Sequence, residues 1–296
     1  MSINNIIKLI ESKKAVVSVV GLGYVGLPLI LSFNKAGFKT IGIDVSKDKI
    51  KKLKSTESYI DDVPNREIIE AYKTRRFSVS DSFQKIRDAD CVIICVPTPL
   101  GKTKEPDLSF VLSAVDRIAP HLKANQLVVL ESTTFPGTTD EVIAPRIEAV
   151  SKLRVGQDVL VGFSPERVDP ANKNWKINEI PKVVGGMGSD ALQAAKALYN
   201  QVFLKVVPAS STKTAEMVKL LENTFRSVNI GLINEMAIIC DTLKVDVWEV
   251  IEAAATKPFG FMPFYPGPGI GGHCINIDSM YLAWKARLHG YEPKLI

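Results

Sequence analysis

From residue 15 onward the chain alternates between nearly continuous apolar runs and amphipathic stretches. The runs are AVVSVVG (15–21), KTIGID (39–44), DCVIICV (90–96), QLVVLES (126–132) and DVLVGFSPER (158–167). They are short, rich in β-branched residues and without polar alternation, which predicts strands buried on both faces. Helical patterns separate them: residues 25–36, a Lys-rich stretch after Ser46, another at 108–119 and one after Gly137. Strand and helix in alternation predict a doubly wound α/β domain around a parallel sheet.

The ends of the chain read differently. Ile6, Ile7, Leu9 and Ile10 beside Lys8 and Glu11 predict a short amphipathic accessory helix. After Pro208 a long helical pattern covers 212–244, a second covers 246–255, a Gly/Pro-rich loop fills 257–272, and a final helix is expected to begin near Asp278. The expected organisation is an accessory helix (1–14), a Rossmann-type domain (15–207) and an all-helical domain (208–296).

Composition narrows the function classes. A 46% hydrophobic and 23% charged chain of 296 residues is that of an ordinary folded protein, long enough for two domains. The net charge of +5 is spread among acidic residues, so we expect no nucleic-acid partner but a basic surface that attracts an anionic small molecule. Cys91, Cys95, Cys240 and Cys274 have neither the spacing of a zinc site nor that of a disulfide framework, and no metal is expected. Residues 15–33 carry no charge, but three glycines and a proline within them have another explanation than a membrane span. No signal peptide precedes them, so a cytoplasmic protein without membrane contact is expected.

That explanation is Gly21-Leu22-Gly23-Tyr24-Val25-Gly26, which follows a predicted strand and opens a predicted helix. Gly21 allows a tight turn, Gly23 lets a pyrophosphate approach the backbone, and Gly26 permits close helix–strand packing. Asp44 closes the next strand, where a carboxylate binds ribose hydroxyls and repels a 2′-phosphate, favouring NAD over NADP. Thr98 in VPTP and Thr133 in ESTT stand at further strand ends, where the sheet's ligands gather.

A second group of residues carries chemistry. Four glycines precede Cys274 in PGPGIGGHC, and Asp278 follows it by four. A thiolate there suits nucleophilic attack on an aldehyde, while a buried packing cysteine is the competing reading. Lys219, Asn223 and Arg226 share one helical face, as either an exposed stripe or the lining of an anionic site. Facing inward, Lys219 and Asn223 could stabilise an oxyanion, and Lys219 could act as a base if burial lowers its pKa. Glu166 could activate water and Arg167 suits a phosphate, with a surface ion pair as the alternative. Cys91 and Cys95 read as packing residues.

Together GLGYVGLP, VPTP, ESTTFPGT, FSPERVDP, KLLENTFRSVNI and GPGIGGHC resemble the UDP-glucose/GDP-mannose dehydrogenases, in order and over essentially the whole chain. ATKPFGFMPFYPGPG and IPKVVGG are most similar to the UDP-N-acetylglucosamine 6-dehydrogenase branch, with UDP-N-acetylmannosamine dehydrogenases next. The resemblance implies a four-electron oxidation of the sugar C6 alcohol to a carboxylate with two NAD per sugar, serving polysaccharide biosynthesis, in a homodimer joined through the helical domain. It implies that Lys219, with Asp278 and a water, assists removal of the hydroxyl proton. Cys274 then carries a thiohemiacetal and a thioester, and water activated near Glu166 or Asp278 releases the product. By similarity Tyr24, Val25, Asp44, Lys49, Thr98 and Thr133 contact NAD, Thr133 also positions water or substrate, and Arg167, Val168, Asn223, Arg226 and Gly271 contact the sugar nucleotide. Asn276 stands where relatives carry proline or a small apolar residue. Such relatives continue beyond residue 296 into a second Rossmann-like domain that supplies most of the uridine pocket. This chain is therefore expected to lack that domain. UDP-N-acetylmannosamine or UDP-glucose as substrate, or a non-catalytic NAD-binding module, are the alternatives.

Overall fold

The computed structural model describes residues 3–101, 105–167 and 177–296; the side chains of Ile3, Asn4, His273, Cys274 and Asn276 lie outside the description. Contacts divide the chain into two compact units, residues 1–99 with 107–217, and residues 100–106 with 218–296.

The first unit opens with α1 (Ile3–Glu11), which buries Ile6 and Ile10. Next come β1 (Val16–Val20), α2 (Gly26–Lys35), β2 (Lys39–Ile43), α3 (Lys47–Lys54), α4 (Asn65–Lys73), β3 (Phe77–Ser80) and β4 (Cys91–Ile94). Then follow α5 (Ser109–Ile118), β5 (Leu127–Leu130), a π-helical turn (Thr138–Ile143), α6 (Ala144–Ser151) and β6 (Leu160–Phe163). The unit closes with β7 (Lys182–Gly186), α7 (Ser189–Tyr199), against which α1 packs, and β8 (Val206–Pro208).

The strands form one sheet in the order β3-β2-β1-β4-β5-β6-β7-β8. The first six run parallel, the dinucleotide-binding order, so β1, β2, β4, β5 and β6 all deliver their carboxyl ends to one edge. Direction reverses at β7, which pairs antiparallel to β6 through Gly162 with Gly186 and Phe163 with Gly185, and β8 runs parallel to β7. Polar atoms inside the strand layer are paired: Ser18 Oγ donates to the Ile41 carbonyl at 3.0 Å. The amide of buried Gln126 donates to the carbonyls of Ile86 and Ala89, at 2.9 and 2.8 Å.

A further helix, α8 (Thr212–Leu243), starts in the first unit, where its residue Glu216 anchors the π-helical turn. One Glu216 oxygen accepts from the Gly137 N–H at 2.6 Å, the other from the N–H and hydroxyl of Thr139 at 2.9 and 2.7 Å.

The second unit holds the rest of α8, α9 (Val247–Ala255) and α10 (His273–Leu288). Its small core joins Leu220 with Ile277 and Tyr281. Here the sequence reading is corrected: α10 begins at His273, five residues before Asp278. Gly271 and Gly272, both at φ +71°, make the turn, and Gly272 occupies the N-cap without a side chain, so the usual start signal is missing. Among the described residues no helix is long and apolar enough to cross a membrane.

Burial pushes the Glu216 carboxyl up to about 7 from its ordinary 4.5, with the hydrogen bonds from Thr139 and Gly137 pulling the other way. Between those two values the folded chain holds a proton that the unfolded chain has lost, so stability falls as pH rises across that window. Thermal unfolding is expected to show this slope, and Glu216→Gln should flatten it; an unchanged slope would mean the carboxyl does not titrate there.

Candidate active site

The glycine loop leaves β1 with its geometry fixed by backbone contacts. Gly21 stands at φ +93°, and a Cβ there would lie 2.5 Å from the Cys95 carbonyl oxygen. A Cβ on Gly26 would come within 1.9 Å of the Gly21 carbonyl oxygen, so α2 crosses β1 too closely for any larger residue. Gly23 differs, because no atom lies within 4 Å of its Cβ position and its backbone is open to a ligand. Val25 caps α2 without a side-chain hydrogen bond, leaving the first turn to an incoming anion. Tyr24 is largely exposed beside it, and Val25 is half-buried.

Asp44, at the end of β2, is buried and accepts from the Leu22 N–H at 2.9 Å and the Ser46 N–H at 2.8 Å. The Lys49 ammonium stands 3.3 Å from it. An open glycine backbone, an uncapped helix start and a carboxylate one strand away form a donor and acceptor set that fits a dinucleotide.

Further along the same edge, Ser132 ties β5 to β4, donating to the Val96 carbonyl at 2.6 Å and accepting from the Val96 N–H at 3.0 Å. Thr98 and Thr133, in the segments that leave these strands, are half-buried. Beneath them lies a cluster that sequence reasoning missed. Lys182, at the start of β7 and only 2% exposed, donates to Glu131 after β5 and, at 3.2 Å, to Glu166 after β6. The Tyr199 hydroxyl donates to the other Glu131 oxygen, and the Tyr199 and Phe203 rings lie 5.5 and 5.2 Å from the ammonium. Desolvation works against the Lys182 charge, but the two carboxylates hold its pKa above the ordinary value. Burial pushes Glu131 up to about 7, so the surplus negative charge is relieved by a proton near neutrality. The available signal was a lone lysine opening the apolar run KVVGG. Glu166 is therefore engaged with Lys182, and the Arg167 guanidinium donates to the Pro181 carbonyl at 2.6 Å. Val168 lies outside the described residues.

In the second unit α8 is turned opposite to a usual surface helix. Lys219, Asn223, Thr224 and Ser227 are buried, while Leu221, Phe225, Leu232 and Ile238 are exposed. The Asn223 amide donates to the carboxylate of Asp278, which is 1% exposed on α10. Of the inward stripe, Lys219 and Asn223 are buried and Arg226 is half-buried. Gly271 is exposed in the turn before α10, and Cys274 is the second residue of that helix, one turn ahead of Asp278.

Residues 15–203 match the NAD binding domain of the UDP-glucose/GDP-mannose dehydrogenase family, and residues 213–296 match its central domain. The chain belongs to this family. It is 40% identical over 281 residues to Protein CapL of Staphylococcus aureus, and 39% identical over the same length to a UDP-N-acetyl-D-glucosamine 6-dehydrogenase of Pseudomonas aeruginosa. Both matches cover 95% of this chain and 65% of the relative, so the chain spans about two-thirds of the length of these proteins. The solved UDP-D-ManNAc dehydrogenase of Pyrococcus horikoshii superposes with a TM-score of 0.86 at 36% identity, covering 92% of this chain and 65% of that one. The family's NAD binding domain is thus the unit that carries the glycine loop, and its central domain carries the Asn223–Asp278 pair and Cys274.

Removing the cation from the buried cluster tests its weight. Lys182→Met is expected to cost about 3–5 kcal/mol in urea unfolding at pH 8, because two buried carboxylates lose their partner. Adding Glu131→Gln should restore a large part of that loss, and a single variant as stable as the parent would show the cluster to be dispensable.

Proposed function

We propose that this chain forms the NAD-binding and catalytic part of a UDP-sugar 6-dehydrogenase that oxidises the C6 alcohol of UDP-N-acetylglucosamine to the uronic acid. The observation that carries the reading is the buried Asn223–Asp278 pair, which joins α8, the helix that holds Lys219, to α10, the helix that holds Cys274. Similarity to the Pseudomonas enzyme supports the choice of sugar, and the Pyrococcus structure keeps UDP-N-acetylmannosamine as the alternative.

Gly21, Gly23, Tyr24, Val25, Gly26, Asp44, Lys49, Thr98 and Thr133 would hold NAD, which supplies the hydride acceptor when bound. Lys219 and Asp278, with a water, take the C6 hydroxyl proton as the alcohol becomes an aldehyde, and the Asn223 amide steadies the oxyanion. The Cys274 sulfur then bonds to the aldehyde carbon to give a thiohemiacetal. The thiolate is the nucleophilic form of a cysteine. Loss of a second hydride leaves the thioester, and water activated by Glu166 or Asp278 cleaves it to carboxylate and free thiol. Four electrons leave in all. Arg167, Val168, Arg226 and Gly271 are assigned to the sugar nucleotide. We place this activity in the cytoplasm, in the biosynthesis of polysaccharides.

We further infer that the exposed apolar face of α8 is covered in a homodimer. A helix that buries Asn223 and exposes Leu221, Phe225 and Leu232 along one face is completed by a partner on that face. Sedimentation at micromolar concentration is expected to show dimers, and Leu232→Asp monomers; a monomeric parent would remove the inference.

With UDP-N-acetylglucosamine and NAD in excess, about two NADH per sugar are expected, and Cys274→Ala should yield no uronic acid. A yield near one would overturn the thioester route. UDP-N-acetylmannosamine and UDP-glucose assayed side by side decide the sugar.

A further inference from the structure

The loop between α3 and α4 places Tyr59 against the glycine loop. Its hydroxyl donates to the Leu22 carbonyl at 2.6 Å, across 37 residues of sequence. The Leu22 N–H is taken by Asp44 at 2.9 Å, so both polar groups of the residue between Gly21 and Gly23 are held by side chains. Lys49 joins the two holders: its ammonium is 3.3 Å from the Asp44 carboxylate and 5.7 Å from the centre of the Tyr59 ring. Burial, and then the charge of Asp44, push the Tyr59 phenol up, so it remains a donor throughout the working pH range.

Glycines make such a brace necessary. Gly21 and Gly23 have the freedom that lets a pyrophosphate approach, and the same freedom costs entropy when the loop is fixed by a ligand. A hydrogen bond that fixes the intervening peptide beforehand removes part of that cost.

We propose that Tyr59 is a positioning residue of the dinucleotide site, presetting the glycine loop through the Leu22 carbonyl without itself touching the cofactor. The inference rests on the reading of this loop as the NAD site.

Tyr59→Phe keeps the ring beside Lys49 and removes only the hydroxyl. Calorimetric titration of the full chain with NADH is expected to show the dissociation constant of Tyr59→Phe raised about three- to tenfold, the worth of one hydrogen bond, at unchanged stoichiometry. ADP-ribose, which keeps the pyrophosphate, should lose the same factor. An unchanged constant, or a fall in stoichiometry alone as a merely structural role would give, overturns the proposal. A parent chain that binds no NADH would instead remove the underlying reading of the loop.

Discussion

Lys182 is an ammonium with almost no access to water, placed where three strands meet. Desolvation alone would expel it, and what retains it is a pair of carboxylates from β5 and β6 together with two aromatic faces. The exchange fixes more than charge. Glu131 precedes Ser132 and Thr133, and Glu166 precedes Arg167, so the cation sets the position of the segments that leave both strands. It also pins the first residue of β7, the strand at which the sheet reverses direction.

Much of the frame was legible because parallel strands buried on both faces have to be apolar throughout. VVSVV, CVII and LVVL announce themselves, and GLGYVG beside a strand-ending Asp44 leaves few other meanings. The reversal at β7 was not legible, since KVVGG has the same composition in either direction and its partner Gly162 gives no directional signal. The Lys182 cluster escaped for a related reason: Lys182 lies 16 residues from Glu166 and 51 from Glu131, with Tyr199 68 residues from Glu131, and a lysine opening an apolar run reads as a surface residue.

The helical unit shows the opposite limit. Lys219 and Asn223 share a face in any helix, but which side of that face meets water depends on packing that periodicity does not encode. The structure turns Lys219 and Asn223 inward beside Leu220 and leaves Leu221 and Leu232 outward. The start of α10 was misplaced because glycine-rich sequence ordinarily marks the end of order, whereas Gly271 and Gly272 here make the turn into a helix with an unfurnished N-cap.

The cysteines have one more consequence. Cys91 and Cys95 sit within the strand layer, where burial and the neighbouring carboxylates push their thiols far up, and Cys240 is buried as well. Thiols kept protonated and shielded react poorly with electrophiles. Cys91 and Cys95 are thereby chemically silent and Cys240 is shielded by burial, so an alkylating probe applied to the native protein would find none of these three sulfurs readily.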